Sequence, residues 1–466
     1  MQNRIVHFDL KGAPPKLCYL EKIFKIIKKW GATGVLLEWE DTFPYSGELV
    51  DIGSVLGCGG DGMYSMDEVR QILQLARNCG LEVIQLIQTI GHMEFVLKHP
   101  LFQDLRELPY SPAVLCPSQH RSQLLVREML RQVLEVQPDA RYIHIGADEV
   151  WHRGECELCK YKASTNEHKL HSIYLEHIRD LALFIKQLRP DLIVLMWDDM
   201  LRSISVDVLK NYSLGELVQP VVWNYSPLHL FHVEVQLWTC YSQVFPSVWA
   251  ASAYKGASGS CEIWPVVSRY ASNQQAWLKT VKEYSSAVNF VGVVLTGWSR
   301  FDHYATLCEL LPPSLPSLSI CLKMWMTMDE CFVSDNSESL PLEEWPGVEL
   351  ALSIRNFASL RERAHNVMYR ELVPTWLNPW QLQHAYTSPI QLRGIVATMT
   401  QIIADIKAIH SELLTQFPLY TGERSAQEWL GSLVTPLLRK VTEVHDVAAI
   451  RTDMQAGVTP GMTATR

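Results

Sequence analysis

The sequence predicts a (β/α)₈ barrel followed by a helical C-terminal region. Eight short apolar runs recur along the first 320 residues, and segments of helix length with helically spaced apolar residues separate them. The runs are continuous rather than alternating, as is typical of parallel strands covered on their outer face. We therefore expect residues 1–320 to form the barrel, residues 348–450 a helical region, and residues 452–466 a disordered tail.

The predicted elements follow from these patterns in chain order. The eight strands are expected at 4–10, 33–40, 82–89, 142–149, 192–199, 219–225, 243–250 and 291–299. Helical spacing of apolar residues predicts helices at 66–78, 123–136, 170–188, 391–417 and 426–450, and residues 336–347 are expected to form a linker or surface loop.

Composition excludes several classes of protein. The net charge is −9 and no basic stripe is present, so nucleic acid is not an expected partner. No run of 18 apolar residues occurs, so no membrane span is expected. The polar first residues do not resemble a signal peptide, and eleven scattered cysteines are typical of reduced thiols. We therefore expect a cytoplasmic protein, which could also enter the nucleus.

Polar and aromatic residues, such as Lys11, Trp39 and Gln88, lie at the ends of the predicted strands where barrels of this type place their active sites. The adjacent carboxylates Asp148 and Glu149 close the fourth strand, which also contains His144. Neighbouring side chains on a strand point to opposite faces, so the strand must break if both acids are to face one pocket. Gly146 gives the backbone that freedom. The alternative is a loop with two solvated acids, which the recurrence of polar strand ends argues against.

Paired carboxylates among Trp and Tyr residues fit glycoside hydrolysis, in which an acid protonates the leaving oxygen and a second group stabilises the anomeric carbon. Acids that are adjacent in sequence favour substrate-assisted hydrolysis of an N-acetylhexosaminide. In that reaction the 2-acetamido oxygen of the substrate is the nucleophile. Asp148 would orient this group, and Glu149 would act as general acid and then as general base.

Six sequence blocks in order resemble the β-N-acetylhexosaminidases of glycoside hydrolase family 20. They are HFDLKGAPPK (7–16), QTIGHMEFVLKHP (88–100), HIGADEV (144–150), WDDM (197–200), WAASAYKGASG (249–259) and LTGWSRFDHY (295–304). The resemblance implies a TIM barrel, retention of anomeric configuration, and no metal or organic cofactor. It also implies removal of terminal β-linked N-acetylgalactosamine or N-acetylglucosamine from glycoconjugates by Asp148 and Glu149. The α/β domain that precedes the barrel in many members is expected to be absent.

The resemblance implies further substrate-binding residues. His92 would hydrogen-bond the general acid, although a lone histidine is as often a core or loop residue. Tyr225 would donate to the acetamido oxygen. Arg300 stands where many members have a hydroxyl-binding Glu, and Asp302 could substitute for it. Aromatic residues expected to form pocket walls, two or three of them in the site, are Trp197, Trp223, Trp249 and Trp298.

Other residues leave alternatives open. Asp9 and Glu40 could bind hydroxyls, support His92 or form structural ion pairs. Arg4 could bind sugar hydroxyls, as the resemblance implies, or lie at the barrel bottom. Cys156-x-x-Cys159, with His152 and His168 nearby, raises a zinc site whose spacing fits no common motif.

Two other functions compete with the enzyme that we favour. They are a non-catalytic sugar-binding protein on a hexosaminidase-like barrel and a barrel hydrolase with a different substrate. The C-terminal helices could pack on the barrel or form a homodimer interface.

Overall fold

The computed structural model describes residues 1–53, 63–328 and 345–455. The chain divides into two compact units, Met1–Pro346 and Gly347–Arg466. The predicted linker at 336–347 lies mostly outside the described residues, as do residues 456–466 of the predicted disordered tail. Within the described ranges, no helix combines the length and the apolar character needed to cross a membrane.

The first unit is a closed barrel of eight parallel strands, which confirms the predicted fold class. Each strand pairs with the barrel strands before and after it in the chain, and β1 closes the ring by pairing with both β2 and β10. The strands are β1 (Asn3–Asp9), β2 (Gly34–Glu38), β3 (Glu82–Leu86), β6 (Tyr142–His144), β7 (Ile193–Trp197), β8 (Val218–Trp223), β9 (Val248–Lys255) and β10 (Phe290–Gly297).

Helices follow the barrel strands in the alternation that the sequence predicts. Those predicted at 66–78 and 170–188 are confirmed to the residue as α2 and α6. Helix α2 begins with a capping box, in which Ser65 and Glu68 each accept a backbone N–H of the other residue. The helices of this unit are α1 (Leu17–Lys29), α2 (Met66–Asn78), α3 (Glu94–Leu97), α4 (His120–Glu135), α5 (Glu157–Thr165), α6 (Leu170–Leu188), α7 (Val206–Asn211), α8 (Leu214–Leu217), α9 (Val235–Val244), α10 (Val267–Tyr284) and α11 (Leu311–Thr327).

One strand prediction is wrong. Residues 243–250 were expected to form the seventh barrel strand, but Gln243 and Val244 end helix α9 and the strand is β9, Val248–Lys255. The turn at Pro246 separates the two elements, since proline lacks the amide that a central strand needs. The shift moves Trp249 from the end of the strand to its beginning.

An antiparallel hairpin that the sequence did not predict lies between β3 and α4. Its strands are β4 (Arg106–Leu108) and β5 (Ser111–Leu115). The amide of Leu115 donates to the carbonyl of Ile90 and the amide of Met93 donates to the carbonyl of Ala113, so the hairpin holds the loop that follows β3.

The second unit is helical, as predicted for residues 348–450. Its longest helix, α15, packs against α12 and α17, and the rings of Phe357 and Phe417 contact that of Trp429. Residues 452–455, predicted as part of a disordered tail, belong to α17. The helices are α12 (Val348–Tyr369), α13 (Leu372–Trp376), α14 (Pro379–Gln383), α15 (Pro389–Gln416), α16 (Glu423–Trp429) and α17 (Thr435–Gln455), with a π-helical turn at Leu430–Val434 before α17.

Candidate active site

The loop that carries the acid pair, Asp148 and Glu149, begins where β6 stops at His144. The sequence predicts this break, but it places the end of the strand at residue 149. Gly146, Ala147 and Glu149 all have positive φ angles, of 63°, 71° and 50°. For Ala147 and Glu149 this left-handed conformation is unfavourable, so the surrounding structure must impose it. The break turns the chain out of the sheet and leaves both acids on the wall of one pocket.

His92 bridges the acid pair. Its Nε2 lies 3.2 Å from Oε2 of Glu149 and 3.5 Å from Oδ2 of Asp148. The loop of His92 packs closely on the acid loop, because a Cβ on Gly91 would lie only 2.1 Å from the carbonyl oxygen of Asp148. His92 itself has a φ of 52°, so it is the third strained residue at the site after Ala147 and Glu149.

Charges within this group shift its pKa values. Burial disfavours the charged imidazole, but Asp148 and the hydrogen bonds to the acid pair outweigh it and raise the pKa of His92 well above its usual value. Burial would raise the pKa of Asp148, yet the charge of His92 and the hydrogen bonds from His92 and Gln88 lower it. The Nε2 of Gln88 donates to Oδ1 of Asp148 at 3.0 Å. Asp148 is therefore held as a carboxylate beside a cationic imidazole.

Asp199 fixes Glu149 from the other side. Its Oδ2 accepts the backbone N–H of Glu149 at 2.9 Å, and its Oδ1 accepts the indole N–H of Trp223 at 3.3 Å. Burial, reinforced by the charge of Asp148, raises the pKa of Asp199 to about 7. The residue positions Glu149 through the backbone and fixes the ring of Trp223 at the pocket.

A second charged group, the lysine cluster of Asp9, Lys11, Glu38 and Glu40, lies at the same end of the barrel. The Lys11 Nζ lies 2.9, 3.7 and 3.4 Å from oxygens of Asp9, Glu38 and Glu40. Burial opposes the charge of Lys11, but these carboxylates raise its pKa well above the usual value. Asp9 and Glu40 thus form structural ion pairs, one of the three roles that the sequence left open for them.

Arg4 is also settled. Its guanidinium donates to the carbonyls of Met1 and Gly31 at the start of the barrel strands, so it lies at the barrel bottom, one of its two expected positions.

The pocket encloses about 220 Å³. Three of the predicted aromatic residues contribute to its wall, and they also contact one another. The ring of Tyr225 stacks on that of Trp223 at 5.3 Å and lies 6.5 Å from that of Trp298. Burial raises the pKa of Tyr225, which keeps its hydroxyl protonated and able to donate. The lining residues are Lys11, Glu38, Gln88, His92, Asp148, Glu149, Trp223, Tyr225, Gly256, Ala257, Trp298, Arg300 and Phe301.

Two of the predicted wall residues lie elsewhere. Trp249 is fully buried near the start of β9, where it packs on Tyr142 and donates to Gln219. It was expected in the pocket because the strand was predicted too early in the chain. Trp197 is also fully buried at the end of β7, where its ring lies 4.5 Å from His144 and 6.0 Å from Trp298. Both belong to the barrel core rather than to the pocket surface.

Asp302 is a further correction. Its side chain is exposed, does not line the pocket, and accepts the backbone N–H groups of Tyr304 and Ala305 in a turn. The neighbouring residues Arg300 and Phe301 line the pocket instead.

The sequence analysis overlooked Glu38, the last residue of β2, because it favoured the next residue, Trp39. Trp39, at the predicted strand end, is buried on the other side, where its indole N–H donates to Gln85. Side chains alternate along a strand, so the residue beside an outward Trp39 faces inward. Lys11 and Gln88 were recognised only as strand-end residues.

Comparison with known proteins identifies the family of this chain. Residues 44–226 match the catalytic domain of glycosyl hydrolase family 20. The chain is similar to human Hexosaminidase D, with 36% identity over 479 residues that cover 99% of this chain and 97% of that protein. It is 41% identical to bovine Hexosaminidase D over 321 residues, which cover 69% of this chain and 91% of that protein.

Solved structures share the fold at low identity. A β-N-acetylhexosaminidase from Bacteroides fragilis NCTC 9343 superposes with a TM-score of 0.53 and 16% identity, over 70% of this chain and 66% of that one. The chitobiase of Flavobacterium johnsoniae gives a TM-score of 0.53 and 14% identity, over 99% and 73%. Taken with the identity to the curated relatives, these findings mean that the chain belongs to glycosyl hydrolase family 20 and is a glycosidase of the β-N-acetylhexosaminidase class.

Proposed function

We propose that this enzyme is an exo-acting, retaining β-N-acetylhexosaminidase that uses the 2-acetamido group of its substrate as the nucleophile. It would release terminal β-linked N-acetylgalactosamine or N-acetylglucosamine through an oxazolinium intermediate. The observation that carries the proposal is the acid pair, whose two carboxylates share His92 on the wall of one aromatic pocket.

Asp148 suits the role of orienting the acetamido group. It is buried, its pKa is lowered, and Gln88 and His92 fix its oxygens, so a carboxylate is available to accept the acetamido N–H. As the acetamido oxygen bonds to the anomeric carbon and the glycosidic bond breaks, positive charge develops on the ring that forms. A fixed carboxylate in a site of low polarity stabilises that charge.

Glu149 suits the role of general acid and base. Its side chain is 34% exposed, compared with 10% for that of Asp148, so it reaches the more open part of the pocket. It would protonate the leaving oxygen as the glycosidic bond breaks. The resulting carboxylate would then take a proton from water, whose oxygen attacks the anomeric carbon and opens the oxazolinium ring. Two inversions at one carbon give retention.

The pocket supports exo action on one terminal sugar. Its volume of about 220 Å³ is below the roughly 300–1,000 Å³ of typical ligand clefts. Rings of Trp223, Tyr225 and Trp298 supply apolar surface for the faces of a sugar, and the Tyr225 hydroxyl would donate to the acetamido oxygen. Arg300 is on the same wall and would contact sugar hydroxyls.

The role of Glu149 is tested with aryl β-N-acetylhexosaminides whose leaving groups differ in basicity. Glu149→Gln should lose about 10²-fold or more in kcat/KM with a basic leaving group, and much less with a dinitrophenolate that needs no protonation. Asp148→Asn is the matched control, since its loss should not depend on the leaving group. Equal losses for Glu149→Gln across the series would contradict its assignment as general acid.

The nucleophile and the stereochemistry are tested on the wild type. Fluorination of the acetamido methyl weakens the carbonyl oxygen as a nucleophile, so kcat should fall steadily from the acetamido to the trifluoroacetamido substrate. Proton NMR should show the β-anomer of the free sugar first. A first-formed α-anomer, or a rate insensitive to fluorination, would refute substrate assistance. Parallel assays of the galacto and gluco epimers would establish the preferred sugar.

A further inference from the structure

Four side chains outside the pocket form a compact group, the cysteine cluster of Glu107, Cys116, Cys156 and Cys159. Glu107 lies on β4, Cys116 follows β5, and Cys156 caps the N-terminus of α5, which contains Cys159. One ligand atom from each residue lies within 4.8 Å of all the others. Neither the catalytic proposal nor the pocket makes use of any of these residues.

The separations between these atoms fit a tetrahedral metal site. The Cys116 Sγ lies 3.4 Å from the Cys156 Sγ and 3.6 Å from the Cys159 Sγ, and the Cys159 Sγ lies 3.3 Å from Oε2 of Glu107. With Zn–S bonds of about 2.3 Å, neighbouring sulfurs in a tetrahedral site lie roughly 3.7 Å apart. The two sulfur–sulfur separations are therefore within a few tenths of an ångström of this value, and the remaining pairs of ligand atoms are no more than 4.8 Å apart.

Neighbouring groups orient these ligands. The Glu107 Oε1 accepts the backbone N–H groups of Glu155 and Cys156 at 2.6 and 3.0 Å, which leaves Oε2 directed at Cys159. The backbone N–H of Cys159 donates to the Cys156 Sγ, and the Ser118 hydroxyl lies 3.0 Å from the Cys159 Sγ. Donors of this kind around ligand sulfurs are typical of metal sites, where they stabilise thiolates.

The burial of these residues also favours a bound cation. Glu107, Cys116 and Cys159 are at most 1% exposed. A carboxylate that is buried next to three thiols has a large desolvation cost, which a divalent cation would offset far better than the two backbone amides do.

We propose that the cysteine cluster binds one structural Zn²⁺ through three thiolates and one oxygen of Glu107. Zinc accepts this combination of sulfur and carboxylate ligands. The ligand set differs from the one considered on sequence grounds, because His152 is exposed and His168 forms an ion pair with Glu167. The expectation that the hydrolysis itself uses no metal is unaffected.

Such a metal would join the two loops that form the acid site. The hairpin that carries Glu107 is hydrogen-bonded to residues 90 and 93, on both sides of His92. Cys156 follows Glu149 by seven residues in the chain. A bond from the hairpin to Cys156 and Cys159 therefore limits how far His92 can move from Glu149.

Metal analysis of the full chain, purified under reducing conditions, tests the proposal. We expect about one zinc per chain in the wild type and in the control Cys240→Ser, which alters a partly buried cysteine on α9. Cys116→Ser, Cys159→Ser and Glu107→Gln should each retain much less zinc. Wild-type protein with no zinc and no binding of added Zn²⁺ would overturn the proposal.

A spectroscopic measurement on the wild type avoids dependence on the folding of the variants. Apo-protein titrated with Co²⁺ should develop sulfur-to-metal charge-transfer absorption that saturates at one equivalent and disappears when Zn²⁺ is added. Its thermal midpoint should rise on zinc binding. A Cys116–Cys156 disulfide that forms readily in air, with no cobalt absorption after reduction, would show a redox pair instead and refute the zinc site.

Discussion

The lysine cluster and the acid pair lie at the same end of one barrel but differ in how their charges are satisfied. Lys11 is 5% exposed and has three carboxylates within 3.7 Å. The two acids share one imidazole, and Glu149 remains 34% exposed. The first group satisfies its charges through its own ion pairs, even where Lys11 and Glu38 line the pocket, whereas the second retains a partly exposed carboxylate that a substrate can reach.

Backbone conformation follows the same division. Ala147, Glu149 and His92 all have positive φ angles around the acid pair, while in the lysine cluster Glu40 alone does. Such conformations cost of order 1–3 kcal/mol each and concentrate where function requires a particular geometry. We therefore expect changes in the lysine cluster to affect mainly stability and changes in the acid pair to affect mainly activity.

The largest effect should come from opening the lysine cluster. Lys11→Met leaves buried carboxylates without their cation, and we expect the free energy of unfolding to fall by about 3–5 kcal/mol. Urea denaturation measures this change. Lys25→Met is the control, because its ion pair with Glu21 is exposed and should contribute about 1 kcal/mol or less. Similar losses for the two variants would show that the lysine cluster contributes no more to stability than an exposed ion pair does.

The next effect should fall on activity rather than stability. Asp148→Asn removes the carboxylate that would stabilise the oxazolinium ion, so kcat/KM should drop on the order of 10²-fold. The thermal midpoint should fall much less than for Lys11→Met, since Glu149 still faces His92 and the new amide keeps an oxygen that can accept from Gln88. Activity assays and thermal unfolding of one preparation measure both. If Asp148→Asn were strongly destabilised but still active, the acid pair would serve stability rather than catalysis, contrary to this expectation.

A smaller effect, with a direction in pH, is expected for His92→Gln. His92 lowers the pKa of Asp148, so its removal raises that pKa. Because the role proposed for Asp148 requires its ionised form, the acidic limb of the kcat/KM profile should move to higher pH. At the optimum, a loss of about tenfold is expected. An acidic limb that stays in place would mean that His92 does not act through Asp148.

Features of the fold and of the site could be predicted from the sequence where the residues that determine them are close together in the chain. The strand break before Asp148 could be predicted because Gly146 and two adjacent acids mark it within a few residues. The barrel could be predicted because each β/α unit repeats one pattern. The same local reasoning placed β9 too early, since helix α9 and the strand after Pro246 are both apolar.

Contacts across long separations had no such signal. Glu107 and Cys116 join Cys156 and Cys159 only because the β4–β5 hairpin folds against the loop after β6, and the hairpin was not predicted. Glu38 was missed by one position, and such an error on a strand exchanges the pocket side for the outer side. Nearness in the sequence alone therefore suggested His152 and His168 as possible partners, and neither belongs to the cluster.

The smallest effect separates the pocket from the turn beside it. Asp302 was expected to bind sugar hydroxyls, but its carboxylate is exposed and already accepts two backbone N–H groups of its own turn. Asp302→Asn keeps an acceptor for that turn, so kcat/KM should change by no more than about twofold. Arg300→Met, on the pocket wall two residues earlier, should alter KM more and to different extents for the galacto and gluco substrates. If Asp302→Asn instead raised KM selectively for one epimer, the turn at Asp302 would have to contact the sugar when substrate binds. The substrate-binding pocket would then include Asp302 as well as Arg300 and Phe301.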